Sequence, residues 1–221
     1  MSPPPADGRN ILVAGFTGSG KSAWVMQQCH KASRLLVWDS DQEWSKRGLI
    51  EPVYTIDALK DRVVDNMKRP RSMRLGYAGP IKLVMPKKNG TGLEIALFPV
   101  FCRLAWCWIR ARPGQVLVVE ELADVTSSGK APADWGEIVR KGRKHGATVY
   151  ALTQRPAESD KTIVSNAAAI HSGFMAYPDD RTYIARCLGV SVAEVEKLKP
   201  LDYLHRDLRT QQLSRGRLSF R

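Results

Sequence analysis

The amino-acid sequence predicts an α/β fold, a mainly parallel sheet with helices on both faces, and three observations support it. Short runs that are apolar at nearly every position alternate with stretches of helical spacing: Asn10–Gly15 (NILVAG), Arg34–Asp39 (RLLVWD) and Gln115–Glu121 (QVLVVEE) are the clearest. Strands without polar alternation are those buried on both sides of a sheet. The chain has 221 residues, 43% hydrophobic and 25% charged, enough to bury one sizeable core. Finally, Gly15–Ser22 reads GFTGSGKS between the first apolar run and a helix-like segment. Its spacing, G-x-x-x-x-G-K-[ST], is that of a phosphate-binding loop, which needs a strand before it and a helix after it.

The elements follow in order. Residues 1–9 (MSPPPADGR) are Pro-rich and polar and are expected to form a flexible arm, leaving 10–221 as a single domain. From Lys21, KSAWVMQQCHKA has helical spacing, and RLLVWD is the second strand. Asp57–Lys68 reads as a helix, Ile81–Met85 (IKLVM) as a strand, and Gly92–Ala111 as one long helix with a break near Pro99. After the QVLVVEE strand, Asp134 precedes Glu137 by three residues, the spacing of a capping box, and that helix stops at glycine. Ala147–Pro156 (ATVYALTQRP) is another buried strand and Ala168–Tyr177 a further one. Asp179–Gly189 and Ser191–Lys199 are two short helices, and residues 205–221 are expected to be a polar, basic tail. No internal repeat or low-complexity block interrupts them.

Thirty-four Lys and Arg against 22 Asp and Glu give a net charge of +12, which favours a polyanionic partner such as nucleic acid. Cys29, Cys102, Cys107 and Cys187 form no CxxC pair and have no His at metal spacing, so they are expected to be buried, reduced thiols. Glu94–Ile109 is the longest apolar run, but it has fewer than 18 residues and contains Pro99 and Arg103. A buried helix is expected there, and no integral membrane segment.

The chemistry implied by the loop is specific. Gly15, Gly18 and Gly20 let successive backbone N–H groups curl around phosphate oxygens, and the helix starting near Lys21 adds its positive dipole end. Thr17, Ser19 and Ala23 complete the cradle. Lys21 reaches the β- and γ-phosphate oxygens as a point charge, and the Ser22 hydroxyl is placed to ligate Mg²⁺. Hydrolysis needs a carboxylate near the cation and a second one to orient or deprotonate the attacking water. Glu120 follows directly on an apolar run and takes the metal side; Glu121 takes the base position. At the end of another strand, Gln154 has an amide able both to donate to a γ-phosphate oxygen and to accept from the water.

In that order and at these separations, GFTGSGKS, LLVWDSDQEW, VLVVEE and RKGRKHGATVYALTQRP resemble the FtsK/HerA superfamily of DNA-pumping ATPases, over roughly Asn10 to Tyr177. The small size most resembles the genome-packaging ATPases of membrane-containing, tectivirus-like phages. The resemblance implies a RecA-like (ASCE) P-loop core, ATP as fuel with Mg²⁺, and a hexameric ring with sites between neighbours. In such rings an arginine of the adjacent subunit stabilises charge on the transferred phosphoryl group. Arg140 and Arg143, three apart on one helix face, are the candidates; Arg143 matches the family pattern better, and Arg155 is a third. Asp39 and Glu43 resemble the family's acidic turn, which supports the magnesium shell or a subunit contact. One departure stands out: the family it resembles usually has Asp then Glu after the apolar strand, whereas this chain has Glu120 then Glu121, and the extra methylene alters reach toward the metal.

A pump must hold its polymer without reading it, so contacts from Lys and Arg to phosphates are expected. Between Lys60 and Lys88 there are nine Lys or Arg and two acids. Arg69, Arg71, Lys87 and Lys88, in turn-like settings, are the candidates for DNA contact. The reading as a whole is an ATP-driven translocase of double-stranded DNA that packages a viral genome. It is expected in the host cytoplasm and at a packaging vertex, where capsid or membrane proteins would dock it. A conjugative or repair-type translocase is the near alternative. A small-molecule P-loop kinase or a nucleotide-gated assembly protein is the alternative from another class.

Overall fold

The computed structural model describes residues 8–86, 92–128 and 131–219. In chain order these form β1 (Asn10–Ala14), α1 (Lys21–Gln28), β2 (Arg34–Trp38), α2 (Glu43–Lys46), β3 (Glu51–Val53), α3 (Ile56–Lys68) and β4 (Met73–Tyr77). There follow β5 (Lys82–Pro86), β6 (Gly92–Ala96), α4 (Phe98–Ala111), β7 (Val116–Val119), α5 (Leu122–Val125) and α6 (Ala133–Lys141). The chain closes with β8 (Thr148–Thr153), α7 (Thr162–Ser165), β9 (Ala169–Ser172), α8 (Pro178–Leu188), α9 (Val192–Glu196), β10 (Asp202–Asp207) and β11 (Leu213–Arg217).

Nine strands make one sheet in the order β11-β10-β9-β1-β8-β7-β2-β4-β3. The seven from β9 to β3 are mutually parallel, and β10 and β11 add antiparallel strands at one edge. The apolar runs are strands because both sides of each are covered. Leu12, Ala14, Leu36, Trp38, Leu117 and Val119 face a large core built with α3, α4, α6, α8 and α9. Ile11, Val13, Leu35, Val37 and Val118 face a smaller core under α1 and α2. Trp38 anchors the large core, fully buried with its ring 5.0 to 5.3 Å from those of Tyr77, Phe98 and Phe101; Trp38→Ala costs about 3–5 kcal/mol.

Several expectations need correcting. Gly92–Ala111 is not one helix: its first part is β6, which pairs antiparallel with β5 in a separate two-stranded sheet, so IKLVM stands outside the main sheet. Pro99 sits in the first turn of α4, where its missing N–H is not needed, and starts the helix instead of breaking it. Asp134 is not an N-cap; Pro132 occupies that position, and Asp134 instead accepts from Arg103. A true capping box stands at Ser191 and Glu194 on α9. Residues 205–219 are not a tail, because β10 and β11 extend the sheet there. Gly8 and Arg9 belong to the packed body, with the Arg9 carbonyl accepting from the Val149 amide; residues 1–7 of the expected arm lie outside the described residues. Of the four cysteines, Cys29 and Cys102 are buried, Cys187 is half-buried and Cys107 is exposed. No helix among the described residues is long and apolar enough to cross a membrane.

Candidate active site

Parallel strands align their carboxyl ends on one edge of the sheet, and there the site is assembled. The loop after β1 turns through Gly18 (φ 76°) and Gly20 (φ 91°), a left-handed conformation that side chains resist, and α1 begins at once with Lys21. Gly15 is required for a different reason, since a Cβ there would collide with the Ser19 hydroxyl. The loop is tied down by bonds from the Gly15 amide to Thr153 O (3.1 Å) and from the Phe16 amide to Phe174 O (2.8 Å). The leading amides of α1 have no intrahelical acceptors and open toward the loop, the arrangement that suits phosphate.

β8 lies between β1 and β7, so Gln154, just past β8, stands between the glycine loop and the acids that follow β7. The resulting contacts form a chain. Thr17 Oγ1 donates to Gln154 Oε1 (2.7 Å), Gln154 Nε2 donates to Glu121 Oε1 (2.9 Å), and Lys21 Nζ lies 2.7 Å from that same oxygen. The Gln154 backbone N–H also donates to Glu121 Oε2 (3.3 Å). Glu121 holds a left-handed backbone (φ 44°, ψ 62°) at the start of α5, a conformation costing a non-glycine residue about 1–3 kcal/mol and concentrated at functional sites.

Glu120 points elsewhere. Ser22 Oγ donates to its Oε2 (3.3 Å) and the Trp44 indole N–H to its Oε1 (2.8 Å), with 4% of the residue exposed. Burial pushes the Glu120 carboxyl up to about 7, against the Trp44 hydrogen bond and the nearby Lys21 charge. The two acids thus separate by partner: Glu120 with Ser22, Glu121 with Lys21 and Gln154. Ser22 and Glu120 supply converging hard oxygen donors of the kind a divalent cation takes beside a polyphosphate, so the donor set fits magnesium. A cavity of about 580 Å³ opens over these side chains, with Ala23, Glu43 and Leu201 also on its wall. Asp39 does not reach it. Fully buried, it accepts from the Trp44 and Ser45 amides and the Ser45 hydroxyl, and burial raises its carboxyl above the usual range.

The arginines divide. Arg155 is locked inside its own chain: its Nε donates to the fully buried Asp180 (2.9 Å), its guanidinium also binds Glu158, and it lies over the Tyr177 ring at 4.6 Å. Arg140 and Arg143 are exposed but do not share one α-helix as expected: α6 ends at Lys141 and Arg143 stands in the 3-10 turn Gly142–His145, while Arg140 is folded back over Gly136. Both precede β8, so they lie toward the amino-terminal edge of the sheet, away from this chain's own loop. Arg69 and Arg71 precede β4 at that same edge, and Arg71 pairs with Asp65 (2.7 Å). Lys87 and Lys88 lie outside the described residues. Trp44 and Asp180 were not singled out in the sequence; the only signal for Trp44 is its place in the acidic turn DSDQEW.

A glycine loop after β1, acids after β7 and an intervening β8 with a polar tip define a RecA-like P-loop NTPase. No protein-family model matches the chain. It is 35% identical over 198 residues to Protein P9 of Pseudoalteromonas phage PM2, an alignment covering 85% of this chain and 78% of that one. Its fold is similar to that of the genome packaging NTPase B204 from Sulfolobus turreted icosahedral virus 2 in complex with AMPPCP, with TM-score 0.69, 15% identity, and coverage of 96% and 98%. VirB4 of Thermoanaerobacter pseudethanolicus is also similar, with TM-score 0.63, 10% identity, and coverage of 96% and 89%. The chain belongs to the family of Protein P9 of Pseudoalteromonas phage PM2, and its fold is that of the RecA-like P-loop NTPases.

Proposed function

We propose that this chain is an ATP-hydrolysing motor that moves double-stranded DNA into a viral shell, working as a ring. The observation that carries the reading is the meeting of Lys21, Glu121 and Gln154, from three adjoining strand ends, on one cavity. The loop amides and Lys21 bind and orient the triphosphate. Phosphate oxygens compete with Glu121 for Lys21, so nucleotide entry frees the carboxylate. Glu121 then takes a proton from the attacking water, which the Gln154 amide orients. Magnesium held by Ser22 and Glu120 would supply neutralisation of the charge on the phosphates. Arg143 of a neighbouring subunit is the proposed trans group, since Arg155 is committed to Asp180.

The packaging assignment draws support from the likeness to B204, named a genome packaging NTPase, and from the net charge of +12. The test is phosphate release by the full chain with and without duplex DNA at two salt concentrations. A pump gives DNA-stimulated release that weakens steeply with salt, because bound phosphates displace counterions. Phosphate transfer to a small acceptor, indifferent to DNA, identifies a kinase instead. Tight nucleotide binding without turnover identifies an assembly protein.

A further inference from the structure

Glu120 has a buried partner outside the phosphate loop, Trp44. Its side chain is fully buried, and its indole N–H donates to Glu120 Oε1 at 2.8 Å, while Glu120 Oε2 faces the Ser22 hydroxyl at 3.3 Å. The indole is itself held in place. Asp39 accepts from the Trp44 amide (3.2 Å) and the Ser45 amide (3.0 Å), fixing the start of the four-residue α2 on which Trp44 stands. The Trp44 carbonyl accepts from the Leu49 amide (3.1 Å), closing the turn behind it. Asp39, Trp44, Glu120 and Ser22 therefore form one connected path from the end of β2 to the phosphate loop.

A glutamate has one more rotatable bond than an aspartate, and a buried carboxylate free to rotate would present either oxygen, or both, to a cation. One N–H on Oε1 removes that freedom and leaves Oε2 turned toward Ser22. We propose that Trp44 is a positioning residue that pins Glu120 so that a single oxygen, Oε2, faces the nucleotide-bound cation beside Ser22. The inference rests on the reading of Ser22 and Glu120 as the cation pair. Outer partners of metal ligands commonly contribute about 10–100-fold to metal affinity.

The test compares the affinity of the full chain for a fluorescent ATP analogue in Mg²⁺ and in EDTA, for wild type, Trp44→Phe, Glu120→Gln and the double variant. The ratio of the two affinities reports cation coupling without any need for turnover. Trp44→Phe is expected to keep its EDTA affinity within about twofold while losing about tenfold of the magnesium gain, and to add nothing in the Glu120→Gln background. An unchanged ratio in Trp44→Phe, a loss equal in Mg²⁺ and EDTA, or additivity with Glu120→Gln overturns the proposal. If Trp44→Phe fails to fold, Glu120→Asp decides: with Trp44 intact, the shorter arm cannot span both partners, and the ratio should fall; a wild-type ratio overturns the pin. The wild-type arm stands apart. Tight binding with no magnesium gain defeats the cation reading itself, and no binding in either buffer defeats the nucleotide reading, each taking the proposal with it.

Discussion

Lys21 Nζ lies 2.7 Å from a carboxylate oxygen of Glu121, and both side chains are about 10% exposed. The cation of the phosphate loop is therefore neutralised by the acid proposed to activate water, and each restrains the other until phosphate intervenes. Glu121→Gln removes the competitor but keeps the shape. It is expected to bind nucleotide at least as tightly as the wild type while turnover falls on the order of a hundredfold or more. Lys21→Ala is expected to lose about 10–100-fold in nucleotide affinity, the worth of a charge-assisted contact. Equilibrium binding and phosphate release measured on the same preparations check both. Normal hydrolysis by Glu121→Gln together with loss in Glu120→Gln would reverse the assignment of the two acids.

Gln154 touches Thr17 and Glu121 at once, so its amide links the tip of the phosphate loop to the proposed base. Gln154→Ala cuts both bonds without adding charge. Nucleotide affinity should stay within about threefold, since the loop amides and Lys21 remain, while turnover falls on the order of a hundredfold because the water and Glu121 lose their common partner. A fall in affinity as large as the fall in turnover would make Gln154 a loop-shaping residue and remove it from the catalytic set.

Much of this site was legible because its parts are short-range. GFTGSGKS needs three glycines and a lysine at set offsets, and the acids and Gln154 each end an apolar run, so strand, loop and the side chains that meet there could be read together. What escaped depends on long-range pairing. Trp44 and Glu120 are 76 residues apart, and nothing near either announces the bond. β10 and β11 carry arginines and few large apolar side chains, so they read as a tail; they are strands because β9 offers an edge for Leu204–Asp207 to pair with. Gly92–Ala111 misled for a related reason: Leu93 and Ile95 fit a helical pattern as well as a strand, and only pairing with β5 decides it.

The two kinds of arginine make a prediction about subunit contacts. Arg155 is bonded to Asp180 and Glu158 of its own chain, whereas Arg143 is exposed and makes no ion pair among the described residues. If Arg143 acts in trans, mixing Arg143→Ala subunits with Lys21→Ala subunits should recover part of the phosphate release that each lacks alone. A Lys21→Ala subunit would then lend its arginine to an intact neighbouring loop. Arg155→Ala should not complement in this way; its defect should appear as a lower melting temperature, because Asp180 stays fully buried without its partner. Absence of recovery at every mixing ratio counts against Arg143 as the trans group.

A pH effect on stability follows from the other face of α1. His171 is buried in β9 and stacks on Trp24 of α1, with ring centroids 3.9 Å and planes 16° apart; Tyr203 and His205 of β10 face it at 4.9 and 5.8 Å. Burial, reinforced by His205, holds the His171 imidazole well below its usual range. His205 is also lowered by burial, with Asp207 opposing and Arg9 reinforcing. A base held neutral in the folded state takes up its proton on unfolding, so the stability it contributes is present above the unfolded value near 6.5 and lost as pH falls through the acid range. The histidine contribution should therefore decline below about pH 6.5, by roughly 1.4 kcal/mol per pH unit for each proton taken up on unfolding. Glu51 and Asp207, whose ionised forms folding favours, act at lower pH, but the buried carboxyls of Glu120, raised to about 7, and Asp39 oppose the histidines, because folding favours their protonated forms and so adds stability as pH falls. His171→Phe keeps a ring against Trp24 and removes the proton site while leaving Glu120 and Asp39 in place, so between pH 6.5 and 5 its melting temperature should fall less, or rise more, than that of the wild type; the same slope in both proteins would assign the pH dependence to other groups.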